Sequence, residues 1–294
     1  MHAFRWIVLT LLLAFLVYGL TQLGWSRVWA ARPTAPGFYL VLLLQFFVQP
    51  AADLVIYRNL LRVGRSVSFL VMLRKRFLNN VMLDYSGEAY FFLWAKRNLD
   101  LKKGLLIHAV KDSNVLSAGA GLAMICLMLL ALVVGGDTKL AAILPADSRT
   151  LALIGSLPIL LCLALVTGGS KVTALSRSEV ASTFGIHIAR SVIALFLEFS
   201  AWWLSGALPS AGVCLEFVAL RQVVTRLPLI PAKDLFFVGI GMAAAGFMNV
   251  SATKVAAALV MMTGFSQLQE FALVGFPWLL EQFRDKQRAD QCPS

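Results

Sequence analysis

Six stretches of this 294-residue chain are long and apolar enough to cross a bilayer, which takes about 20 residues of helix. They run over approximately 6–24, 37–57, 114–135, 150–168, 186–208 and 255–280. Spacing of this kind predicts an all-α polytopic membrane protein, one integral membrane domain over residues 1–294. Composition agrees. The chain is 59% hydrophobic and 14% charged, whereas a soluble domain is about 45–50% apolar and about 25% charged. The N-terminus also fits a signal peptide, with Met1–Arg5 as basic region and Ala30-Ala31 as cleavage site. Its apolar run continues to Leu23, however, and the rest of the chain is equally apolar, which favours a span.

The net charge of +11 would suggest nucleic acid in a soluble protein. In a membrane protein it is the excess expected of cytoplasmic loops beside anionic headgroups. No nucleic-acid motif accompanies it, and no nucleic-acid partner is expected. Cys126, Cys162, Cys214 and Cys292 lack metal-ligand spacing, and His2, His108 and His187 are scattered. No metal and no cofactor is expected.

The basic residues set the orientation. Arg58, Arg62, Arg65, Arg74, Lys75 and Arg76 crowd 58–76, and Lys96, Arg97, Lys102, Lys103 and Lys111 crowd 96–111. Both clusters read as cytoplasmic. The apolar segment 77–95 between them then starts and ends on one side, and is too short for two crossings of about 20 residues each. A re-entrant helical hairpin fits, turning at Asp84-Tyr85-Ser86-Gly87-Glu88. The alternative is an amphipathic surface helix. Threading onward makes 136–149 external and 169–185 cytoplasmic. Segment 212–248 becomes a second hairpin, entering from the external face. The N-terminus and the tail 281–294, with Arg284, Lys286 and Arg288, fall in the cytoplasm. Arg27 and Arg32 vote against this threading but are outnumbered.

The two hairpins rhyme. Glu88-Ala89-Tyr90-Phe91-Phe92 matches Asp234-Leu235-Phe236-Phe237-Val238, each after a turn holding Gly87 or Pro228 and Pro231. Paired interruptions in the two halves of a membrane chain are the sequence mark of an inverted repeat and its transport site.

Polar residues inside the apolar runs are the candidate site. Gln45, Gln49 and Asp53 recur every four residues, one stripe down a helix. The stripe either lines a headgroup path or glues helices together, with Asp53 hydrated or paired to an arginine. Glu198 lies eight residues after Arg190, and Glu216, Arg221, Arg226, Lys233 and Asp234 fall in the second hairpin region. Arginines there suit a lipid phosphate, and acids suit a cationic headgroup or a proton. Internal ion pairing is the plain alternative for each. Gly239, Gly241, Ala243, Ala245 and Gly246 form a packing face, not a nucleotide loop. Gln267 and Glu270 fall within the last span, which either faces the same cavity or breaks at Gly264. No nucleophile elbow, HExxH or P-loop is present.

The chain resembles the transmembrane flippase-like domain of the lysylphosphatidylglycerol synthases over about residues 40–280. The resemblance rests on the basic stretch Arg58–Arg76, Phe77-Leu78-Asn79-Asn80 and Gly87-Glu88. In the second half it rests on Leu227-Pro228, Pro231, the small-residue helix that follows, and Asn249-Val250. It implies movement of a phospholipid or other polar lipid between leaflets, with two re-entrant elements. Gly87, Glu88 and Pro231 carry over residue by residue. Leu83-Asp84 stands where the family has Pro-Gly, Phe91 where it often has Arg, and Ala232-Lys233-Asp234 where it has a Gly-rich turn. The aminoacyl-transferase domain of the bifunctional members is not expected, and neither is aminoacyl-lipid synthesis.

The sequence therefore predicts a lipid translocase of the inner (plasma) membrane, not an enzyme, with membrane lipids as partners. The expected site is Asp53, Asp84, Gly87, Glu88, Glu198, Arg221, Arg226, Pro231 and Asp234. Two alternatives stand beside it. One is a membrane-embedded transferase using Asp84 and Glu88 as base and orienter. The other is a non-transporting accessory subunit packed against a lipid-synthesis enzyme. The protein partners expected beside lipid are a second copy of the chain or a lipid-synthesis enzyme.

Overall fold

The computed structural model describes residues 17–82, 85–135, 156, 160, 173–226 and 233–291. Among these residues all regular structure is helical. Four helical stretches are long and apolar enough to cross a membrane: Pro36–Leu61, Lys103–Leu132, Arg177–Ser205 and Ala252–Arg284. They correspond to four of the six apolar runs. The runs 6–24 and 150–168 lie mostly outside the described residues.

A one-turn helix, α1 (Trp25–Ala30), precedes α2 (Pro36–Leu61). Pro36 opens α2 where a missing N–H costs nothing, and Arg62 closes it in the left-handed conformation. Two short helices follow, α3 (Phe69–Val81) and α4 (Ser86–Asn98), then the long α5 (Lys103–Gly135). The second half repeats this order: long α6 (Arg177–Ser205), short α7 (Ala211–Arg226) and α8 (Lys233–Phe247), and long α9 (Ala252–Glu270). The last helix continues through a π turn, Phe271–Gly275, into α10 (Phe276–Gln291). It runs straight through Gly264; the irregularity lies at the π turn instead. Ser176 and Glu179 form a reciprocal capping box that starts α6, and Gly206 ends it in the left-handed region.

A pair of short helices covers each segment read as a hairpin, with boundaries that differ from the sequence reading. The first begins at Phe69, not at residue 77, so Arg74, Lys75 and Arg76 sit within helix α3 rather than in a loop. Hydropathy marks apolar length, whereas a helix extends as far as its backbone bonds continue. With 13 residues each, α3 and α4 reach only about 20 Å.

Named contacts fix the helix directions. Arg62 meets Glu179, Asp53 meets Arg190, and Gly37 faces Leu204, so α2 and α6 run antiparallel. Ser113 meets His187 and Ser117 meets Arg190, so α5 runs parallel to α6. Tyr39 packs on Phe265 and Phe46 clusters with Val274, so the last helix runs parallel to α2. The short pairs sit toward opposite ends of the α2–α6 pair. One apolar core joins α3 and α4 to the C-terminal half of α2 through Ile56, Tyr57, Met72 and Phe91. The other joins α7 and α8 to its N-terminal half through Phe38, Leu42, Trp202, Phe217 and Phe237.

The Arg62–Glu179 pair at the edge of α2 and α6 is 3.2 Å long, with the arginine exposed. Arg62→Ala is expected to change stability by less than about 1 kcal/mol, read from thermal unfolding of the detergent-solubilised protein.

Candidate functional site

Each half places a base between two acids. In the first half Lys75 Nζ, on α3, lies 2.7 Å from Asp53 Oδ2 on α2 and 3.0 Å from Glu88 Oε1 on α4. In the second half Arg221, on α7, lies 3.6 Å from Glu198 on α6 and 3.0 Å from Asp234 on α8. The register repeats with the chemistry. Lys75 follows Asp53 by 22 residues and precedes Glu88 by 13; Arg221 follows Glu198 by 23 and precedes Asp234 by 13.

The local sequence explains the geometry. Glu88 falls in the first turn of α4 and Asp234 in the first turn of α8, where the helix dipole favours an anion. Three residues on, Phe91 and Phe237 are both buried on the same helix faces. Phe91 stacks on Tyr57, whose ring lies under the Lys75 ammonium, and Phe237 lies under the Arg221 guanidinium. The rhyme seen in the sequence thus marks two equivalent places.

Gly87 lets the first triad close. A Cβ there would overlap the Lys75 carbonyl oxygen, which is backbone and cannot move aside. The Gly87 N–H donates to Asn79 Oδ1 at 2.6 Å, and the Ser86 hydroxyl donates to the Leu78 carbonyl at 2.7 Å. These bonds press the start of α4 onto α3, so that Glu88 reaches Lys75.

Further polar groups surround this triad. Arg190 lies 3.9 Å from Asp53 Oδ1 and donates to Ser117 at 3.1 Å. His187 and Ser113 meet at 3.3 Å beside it. Glu88 Oε2 is buried without a hydrogen-bond partner. In the second triad Gln222 approaches Glu198 Oε2 at 3.5 Å, while Glu198 Oε1 is buried with no hydrogen bond.

A separate cluster ties the first short pair to the last helix. Glu270, fully buried just before the π turn, accepts from Arg76 at 2.9 Å and Asn80 at 2.5 Å. Arg74 pairs with Glu281 and stacks on Trp278.

Of the residues expected from the sequence, Asp53 and Glu88 meet in one triad beside Gly87, and Glu198, Arg221 and Asp234 meet in the other. Asp84, Pro231 and the Arg226 side chain lie outside the described residues. Sequence reasoning missed Lys75, which looked like one more charge in a cytoplasmic cluster. The base that precedes an acid by 13 residues in both halves is the signal that would have found it. Arg190, eight residues before Glu198, lies beside the first triad, whereas Glu198 belongs to the second.

Among the described residues, fold and site define a helical membrane protein with two matched ion triads, the first buried and the second partly exposed. Comparison with known proteins gives no matching family model, no matching curated protein and no matching solved structure.

Proposed function

We propose that this chain is a translocase that moves a phospholipid or other polar lipid between the leaflets of the inner membrane. The observation that carries the reading is the pair of matched triads, one at each short helix pair, in halves whose first long helices run antiparallel. Such an arrangement is that of an inverted repeat, and transporters of this kind bind substrate where the interrupted elements of the two halves meet. On this reading α3–α4 and α7–α8 are re-entrant hairpins entering from opposite faces. The termini are cytoplasmic, and the runs 6–24 and 150–168 complete six spans.

Charged side chains inside a membrane are costly and mark pathways. The helices would pack more stably around apolar residues than around these two ion clusters. The clusters therefore serve the passage of a polar group. Arg221 and Arg226 suit a lipid phosphate, and the acids suit a cationic headgroup or a proton. The headgroup crosses along this polar path while the acyl chains stay in lipid, which lowers the desolvation cost of crossing.

The test is reconstitution. Purified protein in phosphatidylethanolamine–phosphatidylglycerol vesicles is expected to make inner-leaflet NBD-phosphatidylglycerol accessible to external dithionite within minutes. Protein-free vesicles should protect about half of the total label, the whole inner-leaflet share, as two equal leaflets require. Equal protection with and without protein would sink the reading. The re-entrant geometry has its own check: Arg65→Cys and Arg97→Cys, both exposed, should label from the same face of sealed vesicles.

A further inference from the structure

We propose that α10 is a releasable strap across the first short pair. It swings about the π turn, Phe271–Gly275, and while docked it holds α3 and α4 in place. This adds a control element to the translocase reading, on which its holding role rests; the release itself can be measured without lipid movement.

Helix length places the hinge. With 19 residues α9 reaches about 28 Å, enough for a hydrocarbon core of about 30 Å. The whole stretch Ala252–Arg284, at 33 residues, would reach about 50 Å. The π turn therefore falls at the membrane face, and α10 begins where the crossing is complete. A π turn interrupts the regular backbone ladder and is a place where long helices bend. Pro277, just past it, removes one more backbone donor.

The grips on either side of the hinge differ in strength. Before it, Glu270 is 0% exposed and accepts from Arg76 at 2.9 Å and from Asn80 at 2.5 Å. Breaking a buried charge pair is costly, so this grip is permanent. After the hinge, Glu281 is 52% exposed and pairs with Arg74. Water screens such a pair and leaves it weak. Trp278 completes the second grip. Its ring lies against the Arg74 guanidinium, against Phe77 of α3 and against Tyr90 of α4. One indole thus bridges both helices of the short pair. Lys75 stands between the two gripped arginines, so the base of the first triad is held from both sides while α10 is docked.

The faces of α10 give it a second resting place. From Phe276 to Arg284 every side chain but Trp278 is exposed. Phe276, Leu279, Leu280 and Phe283 follow the i, i+3, i+4, i+7 spacing of one helix face. At about 100° per residue, Trp278 and Glu281 fall on the opposite face. A released α10 can lay its apolar stripe into the membrane interface beside the end of α9, as amphipathic helices do. Two positions of modest energy difference, one hinge and one weak grip are the parts of a switch.

The experiment uses the full chain in phosphatidylethanolamine–phosphatidylglycerol vesicles, with Cys162 and Cys292 replaced by serine; Cys126 and Cys214 are buried. Nitroxide labels on Gln282→Cys, on α10, and Gly104→Cys, at an open position on α5, report the distance between strap and body by pulsed EPR. Two distances are expected, docked and released. The released share should rise between 0.1 and 1 M salt, where the screening length falls from about 10 to about 3 Å. Glu281→Gln should raise it by up to about fivefold, and Trp278→Ala should raise it further. If neither variant moves the label at either salt concentration, the strap is overturned. A second measurement tests its holding role. Tyr90→Cys joined to Trp278→Cys by a short bis-maleimide should stop the movement of NBD-phosphatidylglycerol, whereas the same double variant left unjoined should move it at least as fast as wild type. If joined and unjoined protein move the lipid equally, the holding role is overturned while the translocase reading stands. If no form moves lipid, the translocase reading falls and the holding role falls with it, and the label distances alone decide the release. Size-exclusion profiles confirm that each variant is folded.

Discussion

Lys75→Met is expected to destabilise the protein by about 3–5 kcal/mol, the cost of removing one partner from a buried ion pair. Lys75 lies between Asp53 and Glu88, and all three are buried. Without the ammonium, two carboxylates face each other in a site that excludes water, and Arg190 reaches only Asp53, from 3.9 Å. The loss should appear as a lowered unfolding temperature in detergent. It should be largely restored in the double variant Lys75→Met, Glu88→Gln, because Asp53 then keeps Arg190 and no carboxylate of the cluster is left without a cation. If the single variant matched wild type, the triad would not be the closed ionic cluster described above. Arg221 offers a contrast within one molecule. Of its two acids Asp234 is partly exposed, so water screens one of them and Arg221→Met should cost less in the same measurement, with buried Glu198 carrying the loss.

The second large effect is expected at Gly87. Gly87→Ala places a methyl group into the Lys75 carbonyl oxygen, and α3 and α4 must separate to admit it. Overpacking of this kind typically costs about 1–3 kcal/mol. Here it also pulls Glu88 away from Lys75 and the Gly87 N–H away from Asn79. The variant should lose transport in the vesicle assay as completely as a triad variant, and a crosslink between α3 and α4 should form less readily. Gly104→Ala, at an open position, is the control and should behave as wild type. Equal behaviour of the two substitutions would show that close approach at Gly87 is not what seats Glu88.

These two positions show how unevenly the site could be read. Gly87 and Glu88 stood out as a pair after a turn, and the acid–aromatic rhyme with Asp234 pointed to the second place in the chain. Asp53 stood out because a charge in an apolar run is rare. Lys75 did not stand out, because it lies between Arg74 and Arg76 in a segment where every charge looked alike. On helix α3 successive residues are turned by about 100°. Arg74 therefore faces Glu281, Lys75 faces Asp53 and Glu88, and Arg76 faces Glu270. Three adjacent cations of one composition have three separate fates, and a charge count cannot tell them apart.

The sequence alone determined that the chain is helical and belongs in a membrane, because hydropathy over about 20 residues is a local property that needs no knowledge of neighbours. It also marked two interrupted elements, since turn residues and acids within apolar runs are local signals too. Only the tertiary structure decided the partners. Asp53, Lys75 and Glu88 come from three helices, and so do Glu198, Arg221 and Asp234. Whether a buried charge is matched depends on which helix faces return to meet it, and that is fixed by chain direction and packing, not by any stretch of sequence read on its own.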